Sequence, residues 1–327
     1  MEYTTDDVRE ELKMIRSRVH AGTLFDSLGS EIGRLLDEFE YDAPTEVVQL
    51  SAKEATDIKE RVLNWQQTLY AGQPVAISNQ DVLDLMNSLR QTDPAVRDKG
   101  TFFFISDGLQ NNVFKPNQLL LMVRYLLQDN VLFNHITETE NDGVFYRSFS
   151  IFILSMLHYA NRKGNVHFIS EEVAETLFLN FATYIALERD TRGFVGEKGW
   201  AHAFMHIGNL LDELAHDETL PRADKIFLLT ILIEKLKRLD TPLIMGENRR
   251  LIGFITELVK TNELYSQYFL KQLKQWRQEA TRQMQPDSES DWHRLYNQQR
   301  FLQALLMRDN LPQEITDYLN ESRNFLA

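Results

Sequence analysis

A chain of 327 residues is long enough to bury a sizeable core unaided, and it contains no cysteine, which excludes disulfides, thiolate metal sites and cysteine nucleophiles. Its 35 Lys and Arg against 48 Asp and Glu leave a formal charge of −13, so nucleic acid and anionic lipid are poor partners, because affinity for phosphate is mostly cationic. Hydrophobic residues at 43% and charged residues at 25% match a folded globular protein.

The apolar spacing is helical almost from end to end. Val8, Leu12, Ile15 and Val19 make one stripe on a first helix, with Thr5, Asp6 and Asp7 at its start and Gly22 at its stop. Leu28, Ile32, Leu35 and Phe39 repeat the pattern. Ser51 and Glu54 form a capping box for a third helix that ends at Gly72 and Pro74, and Ser78 caps a fourth. Asp93 and Pro94 open a helix expected to reach about Leu109. Helices follow over 114–128, 144–162, 170–189, 200–216, 221–239, 247–261, 264–283, 291–308 and 312–325. The apolar runs 151–157 and 226–233 are too short to span a membrane and read as buried helices. The acidic start carries no signal-peptide pattern, so a cytoplasmic protein is expected.

About fourteen helices with short connections predict an all-α fold, a right-handed stack of antiparallel helix pairs of the HEAT-like α-solenoid type. The run Asp93-Pro94-Ala95-Val96-Arg97 carries the turn of such repeats: Asp caps, Pro sets the first turn, Val enters the core and Arg ties neighbouring turns. We expect a single domain over 1–327, with an acidic helical extension at 1–75, a core at 81–258, and a C-terminal helix pair at 291–327 behind the linker Met284–Ser290. The first sixty residues hold 15 acidic and 7 basic residues, a net of −8. That reads either as a solvated face or as a docking surface for a basic partner.

One segment differs from packing material. Arg192 to His206 holds three glycines, two cations and two histidines. On a helix starting at Trp200, His202, His206, Asn209, Glu213 and His216 share one face, opposite Trp200, Phe204, Ile207, Leu211 and Leu214. Three readings compete for that face. It is wet surface; or it lines a groove that binds a ligand, with Arg192 and Lys198 holding an anionic group and Trp200 anchoring the helix; or His202 and His206 chelate a divalent metal. The metal would need a third ligand such as Asp190, Asp142 or Glu197. No cofactor is otherwise required. The leading expectation is a binding or scaffold protein with a groove lined by 192–216, its partner a protein or a small anion. The alternative is a metal- or His-dependent hydrolase on the same face, with His206 as proton carrier and Glu197 as a second catalytic candidate. The other histidines, His20, His135, His158, His167 and His293, read as structural. Tyr146-Arg147-Ser148 reads as a structural tie or a groove contributor.

The stretches Asp93 to Asp98, Val144-Phe145-Tyr146-Arg147-Ser148-Phe149, Arg192-Gly193-Phe194, Gly199-Trp200-Ala201-His202 to His206, Asp212-Glu213-Leu214 and Gly246-Glu247-Asn248-Arg249-Arg250-Leu251 resemble the bacterial family known as domain of unknown function 2785. The likeness runs over roughly Asp81 to Leu258. It implies an all-α bacterial protein and carries no catalytic residues over.

Overall fold

In the computed structural model, which describes residues 3–282 and 285–322, the described residues are helical with no β-strand. In chain order the helices are α1 Thr5–His20, α2 Leu28–Asp37, α3 Ala52–Tyr70, α4 Asn79–Ser88, α5 Pro94–Val96, α6 Phe103–Gln110, α7 Pro116–Leu126, α8 Asp129–Leu132, α9 Gly143–Lys163, α10 Glu171–Leu187, α11 Ala203–Ala215, α12 Arg222–Arg238, α13 Glu247–Thr261, α14 Glu263–Arg282, α15 Glu289–Leu306 and α16 Gln313–Glu321. No described helix is long and apolar enough to cross a membrane. The packing divides the chain into two compact bodies: residues 1–40, 185–191 and 211–327, and residues 41–184 and 192–210. The acidic stretch 1–75 is therefore divided after Glu40. Residues 283–284 of the expected linker and 323–327 of the expected last helix lie outside the described residues.

The local signals act as the sequence implies. Ser51 and Ser78 each accept from the backbone three residues on, while Glu54 and Asp81 close the boxes in return. At the first helix the cap is Thr4, one residue earlier than expected, boxed with Asp7. Asp93 Oδ1 accepts from Ala95 N at 2.8 Å, so Pro94 does sit at the first helical position. The helix it opens is not uniform. A π-turn over Arg97–Phe102 separates α5 from α6. The wider turn shifts the register of every side chain after it.

In the first body, α1 buries Val8, Leu12, Ile15 and Val19. The helix α12 is buried without a break from Ile226 to Leu236, as expected for a helix apolar on all sides. Close approach of α2 to α12 depends on two glycines one turn apart. A Cβ on Gly29 would lie 3.0 Å from Glu234 Oε1, and one on Gly33 would lie 2.5 Å from Arg238 Nη2. That space holds a charge network: Arg238 bonds Asp37 at 2.7 and 2.9 Å and Glu234 at 2.6 Å, and Lys237 bonds Glu234 at 2.7 Å. Lys235 donates to Ala186 O at 2.9 Å, and burial pushes its ammonium down to about 7. Asp224, fully buried in the first turn of α12, accepts from Arg16 Nε and Nη2 at 2.7 and 2.9 Å and meets His20 Nε2 at 2.6 Å.

In the second body α9 is the central rod, buried from Gly143 to Leu157 except at Phe152 and Met156. Its serines cost little, because Ser150 donates to Tyr146 O and Ser155 to Phe152 O, both at 2.7 Å. The irregular stretch before α9 is tied to residues 41–45 by Glu138. That carboxylate accepts from Thr45 N, Thr45 Oγ1 and Asn141 Nδ2 at 2.6–2.7 Å, and His135 Nδ1 lies 2.7 Å away. Burial alone would raise the Glu138 carboxyl, but these partners outweigh it and hold it below the usual range. Arg147 donates to Asn134 O at 2.7 Å and is a structural tie.

Candidate functional site

The segment after Thr191 folds as a tight hairpin. Ala201 N donates to Gly193 O at 2.8 Å, Val195 N to Gly199 O at 2.7 Å and His202 N to Arg192 O at 3.2 Å. Phe194 and Trp200 thereby pair across an antiparallel bridge, with a 3-10 turn, Gly196–Lys198, at the tip. The amides of Ala201 and His202 are spent on this ladder, so α11 starts at Ala203 and not at Trp200. His202 takes φ +57°, a left-handed conformation rare for a residue with a side chain. The expected i, i+4 pair His202 and His206 is therefore not formed on one helix. His202 stands just before α11, and His206 N donates to its carbonyl at 3.0 Å.

Arg97 braces the hairpin from behind. This fully buried guanidinium donates to Asp98 Oδ1 and Oδ2 at 2.6 and 3.1 Å, to the carbonyls of Gln91 and Thr92 at 3.1 Å each, and to Lys198 O at 2.8 Å. It also lies over Phe145 and Phe149, 4.4 and 4.9 Å from the ring centroids. Gly199, at φ +74° and ψ −146°, packs on the same turn. A Cβ there would lie 3.2 Å from Pro94 Cβ and 3.3 Å from Arg97 Nη2.

The two cations expected to hold an anion are engaged already. Lys198 Nζ bonds Asp142 Oδ2 at 2.6 Å. Arg192 donates to Asn141 O and pairs with Glu140 and Asp142 at 3.5 and 3.8 Å. Carboxylates fifty residues away in sequence thus fill the expected anion pocket. Nor does Trp200 anchor a helix, since it is 40% exposed.

The histidines join a row of aromatic rings. Phe194 meets Trp200 edge to face at 5.1 Å, and Trp200 stacks on His202 at 4.2 Å. His202 lies 6.0 Å from His206, which stacks on Phe152 at 4.2 Å. Phe152 stacks on Phe102 at 4.5 Å, and Phe102 touches Phe103 at 5.8 Å. Phe194 and Phe103, at the two ends, are 55% and 51% exposed. Asn209 is brought within 3.3 Å of His206 Nδ1. Glu213 and His216 fall in the stretch of chain that belongs to the first body. His206 is 6% exposed and boxed by rings, which makes it a poor proton carrier. His202 is the more open imidazole. Its Nδ1 has no hydrogen-bond partner, and burial lowers its pKa below the ordinary histidine value, favouring the neutral ring at pH 7.

Among the described residues no three His, Asp or Glu side chains are grouped to hold a metal ion. Asp142, one of the three carboxylates named as a third ligand, is committed to Lys198. The other histidines have structural partners: His167 meets Asn161 O at 2.7 Å, His293 meets Asp240 O at 2.9 Å, and His158 is buried. Sequence reading missed Phe102, Phe103, Phe152 and Phe194. The run of three phenylalanines at 102–104 and the position of Phe194 in a glycine-rich loop were the available signals.

An all-α chain with a hairpin-borne cluster of Trp and His is thus the class that fold and site define. The chain belongs to the family described as Protein of unknown function (DUF2785), whose profile matches residues 132–307, more than half of its length. The Asp93-to-Asp98 turn lies outside that match. No curated protein and no solved structure matches the chain.

Proposed function

We propose that this is a binding protein whose recognition surface is the platform of Phe194, Trp200 and His202. A stack of HEAT-like helix pairs and a cytoplasmic setting belong to the same reading. One observation carries it. Two large rings are held open to solvent, at 55% and 40% exposure, on a hairpin braced by a fully buried arginine. Exposed aromatic groups on a rigid support are what interfaces use as anchors, because they offer large apolar area at low entropic cost. The left-handed backbone of His202 adds to it, since strain of this kind persists where the surroundings impose it and gathers at functional sites. A hydrolase reading keeps one supporting observation, the half-buried, neutral-leaning ring of His202, whose unpartnered Nδ1 is buried and so leaves Nε2 to meet a substrate. It would make His202, in place of His206, the proton carrier.

The test is side-chain NMR of the full chain against peptides, oligosaccharides, nucleotides and small metabolites. At least one class is expected to move the Trp200 indole and the His202 ring while Trp65, Trp276 and Trp292 stay fixed. Equal movement of all four indoles, or none with any class, would remove the platform as a binding surface.

A further inference from the structure

The first body holds a concavity separate from the hairpin. A cavity of about 460 Å³ lies between the end of α12, the second half of α14 and the start of α15, with residues 285–287 in its wall. That volume is in the range of small-molecule sites, about 300–1,000 Å³. Its chemistry comes from Lys237, Trp276, Glu279, Arg294, Leu295 and Gln298. Gln298 is 9% exposed, and its side-chain amide has no hydrogen-bond partner among the described residues. Neither amide atom is sealed in, unlike those of Gln272, which are shut away without partners. Whatever enters the cavity must therefore bond Gln298, since a buried amide left unbonded is costly. Trp276 is also buried, backed by Phe301 at 5.5 Å, and its indole N–H has no partner among the described residues.

The cavity also presents both signs of charge, from different helices. Arg294, on α15, gives Nη1 to Asp291 at 2.7 Å, while its Nε and Nη2 have no partner among the described residues. Glu279, on α14, sets Oε2 against Lys237 at 3.0 Å, while its Oε1 has no partner among the described residues. Lys237 is held by Glu234 as well, at 2.7 Å, so it is neutralised from within. An open guanidinium edge recognises a carboxylate, and an open carboxylate oxygen recognises an ammonium. The amide of Gln298 donates and accepts side by side, which matches a peptide group. Leu295 and the Trp276 ring add apolar surface. We propose that this cavity binds a short zwitterionic peptide of two or three residues, with its carboxylate on Arg294, its α-ammonium on Glu279, its amide on Gln298 and an apolar side chain against Trp276 and Leu295.

The experiment is calorimetric titration of the full chain with the dipeptide alanyl-leucine. N-acetyl-alanyl-leucine, alanyl-leucine amide and free leucine are titrated in parallel. Saturable binding of the dipeptide is expected, with each of the other three about tenfold weaker, because each lacks one charged end or the peptide group. Arg294→Gln should weaken the dipeptide about tenfold and remove the preference for the free acid over its amide. Glu279→Gln should remove the preference for the free amine over its acetylated form. Both side chains are more than a third exposed, at 38% and 54%, and a merely loosened fold would not erase one preference while keeping the other. The Trp276 indole resonance should shift with the dipeptide while Trp200 stays fixed, the reverse of the pattern expected for the platform, so the two sites stand or fall separately. No saturable binding of alanyl-leucine, equal binding of free leucine, or variants that keep both preferences would overturn the proposal.

Discussion

Replacing Arg97 with alanine is expected to cost roughly 3–5 kcal/mol of folding stability, the range for removing one partner of a buried charge pair. The side chain is fully buried, and its loss leaves the Asp98 carboxylate and three carbonyls, those of Gln91, Thr92 and Lys198, without their donor. Burial already pushes the Asp98 carboxyl above its usual range and the Arg97 guanidinium below its own. Desolvation thus outweighs the pairing at both ends, and neither charge is tolerable alone. Arg97→Lys keeps the charge but loses the two-pronged contact with Asp98, so it should recover only part of the loss. Urea unfolding at constant m-value measures the change, and hydrogen exchange at Lys198 and Gly199 reports whether the hairpin loosens first. A cost below about 1 kcal/mol, the level of an exposed ion pair, would show that Arg97 does not brace the hairpin.

Asp224→Ala should be the counterpart in the first body, costing roughly 3–5 kcal/mol, the same range, because it too removes one partner of a largely buried charge pair. Asp224 is fully buried and receives both prongs of Arg16, whose side chain is 14% exposed, together with His20. Arg16→Ala in the same background should then add little, since most of the interaction is already gone. A double-mutant cycle tests this directly, and additive losses would mean that the two groups do not act as a pair.

These sites show what the chain made legible and what it concealed. Ser51, Ser78, Asp93 and Pro94 are local signals: cap, box and first-turn chemistry involve residues three or fewer apart, and each is found where the sequence puts it. The fully buried apolar stretch of α12 could likewise be read from its composition. The π-turn at Arg97–Phe102 was concealed, because the apolar run Phe102 to Ile105 that follows it offers a side chain for the core in either register. The start of α11 was misplaced for a related reason. Periodicity of side chains through Trp200 and His202 fits a helix, while the backbone amides of Ala201 and His202 are bonded back to Gly193 and Arg192. The engagement of Lys198 by Asp142 was hidden on tertiary grounds, since nothing local to Lys198 announces a carboxylate 56 residues away. The aromatic row was missed because Phe102, Phe152 and Phe194 each read singly as core or loop.

The central claim is a preformed platform in which His202 is held neutral against Trp200, and the NMR of the His202 side chain in the free protein tests it most directly. A ring stacked at 4.2 Å on the indole should have its protons shifted upfield, and Trp200→Leu should abolish that shift. Its protonation midpoint should lie below the ordinary value of 6.5, because burial disfavours the imidazolium. A native pKa below the unfolded one means that the stabilising contribution is complete above 6.5 and is lost as pH falls through the native midpoint. A His202 ring with unshifted protons that titrates at the ordinary value, and is indifferent to Trp200→Leu, would contradict the account.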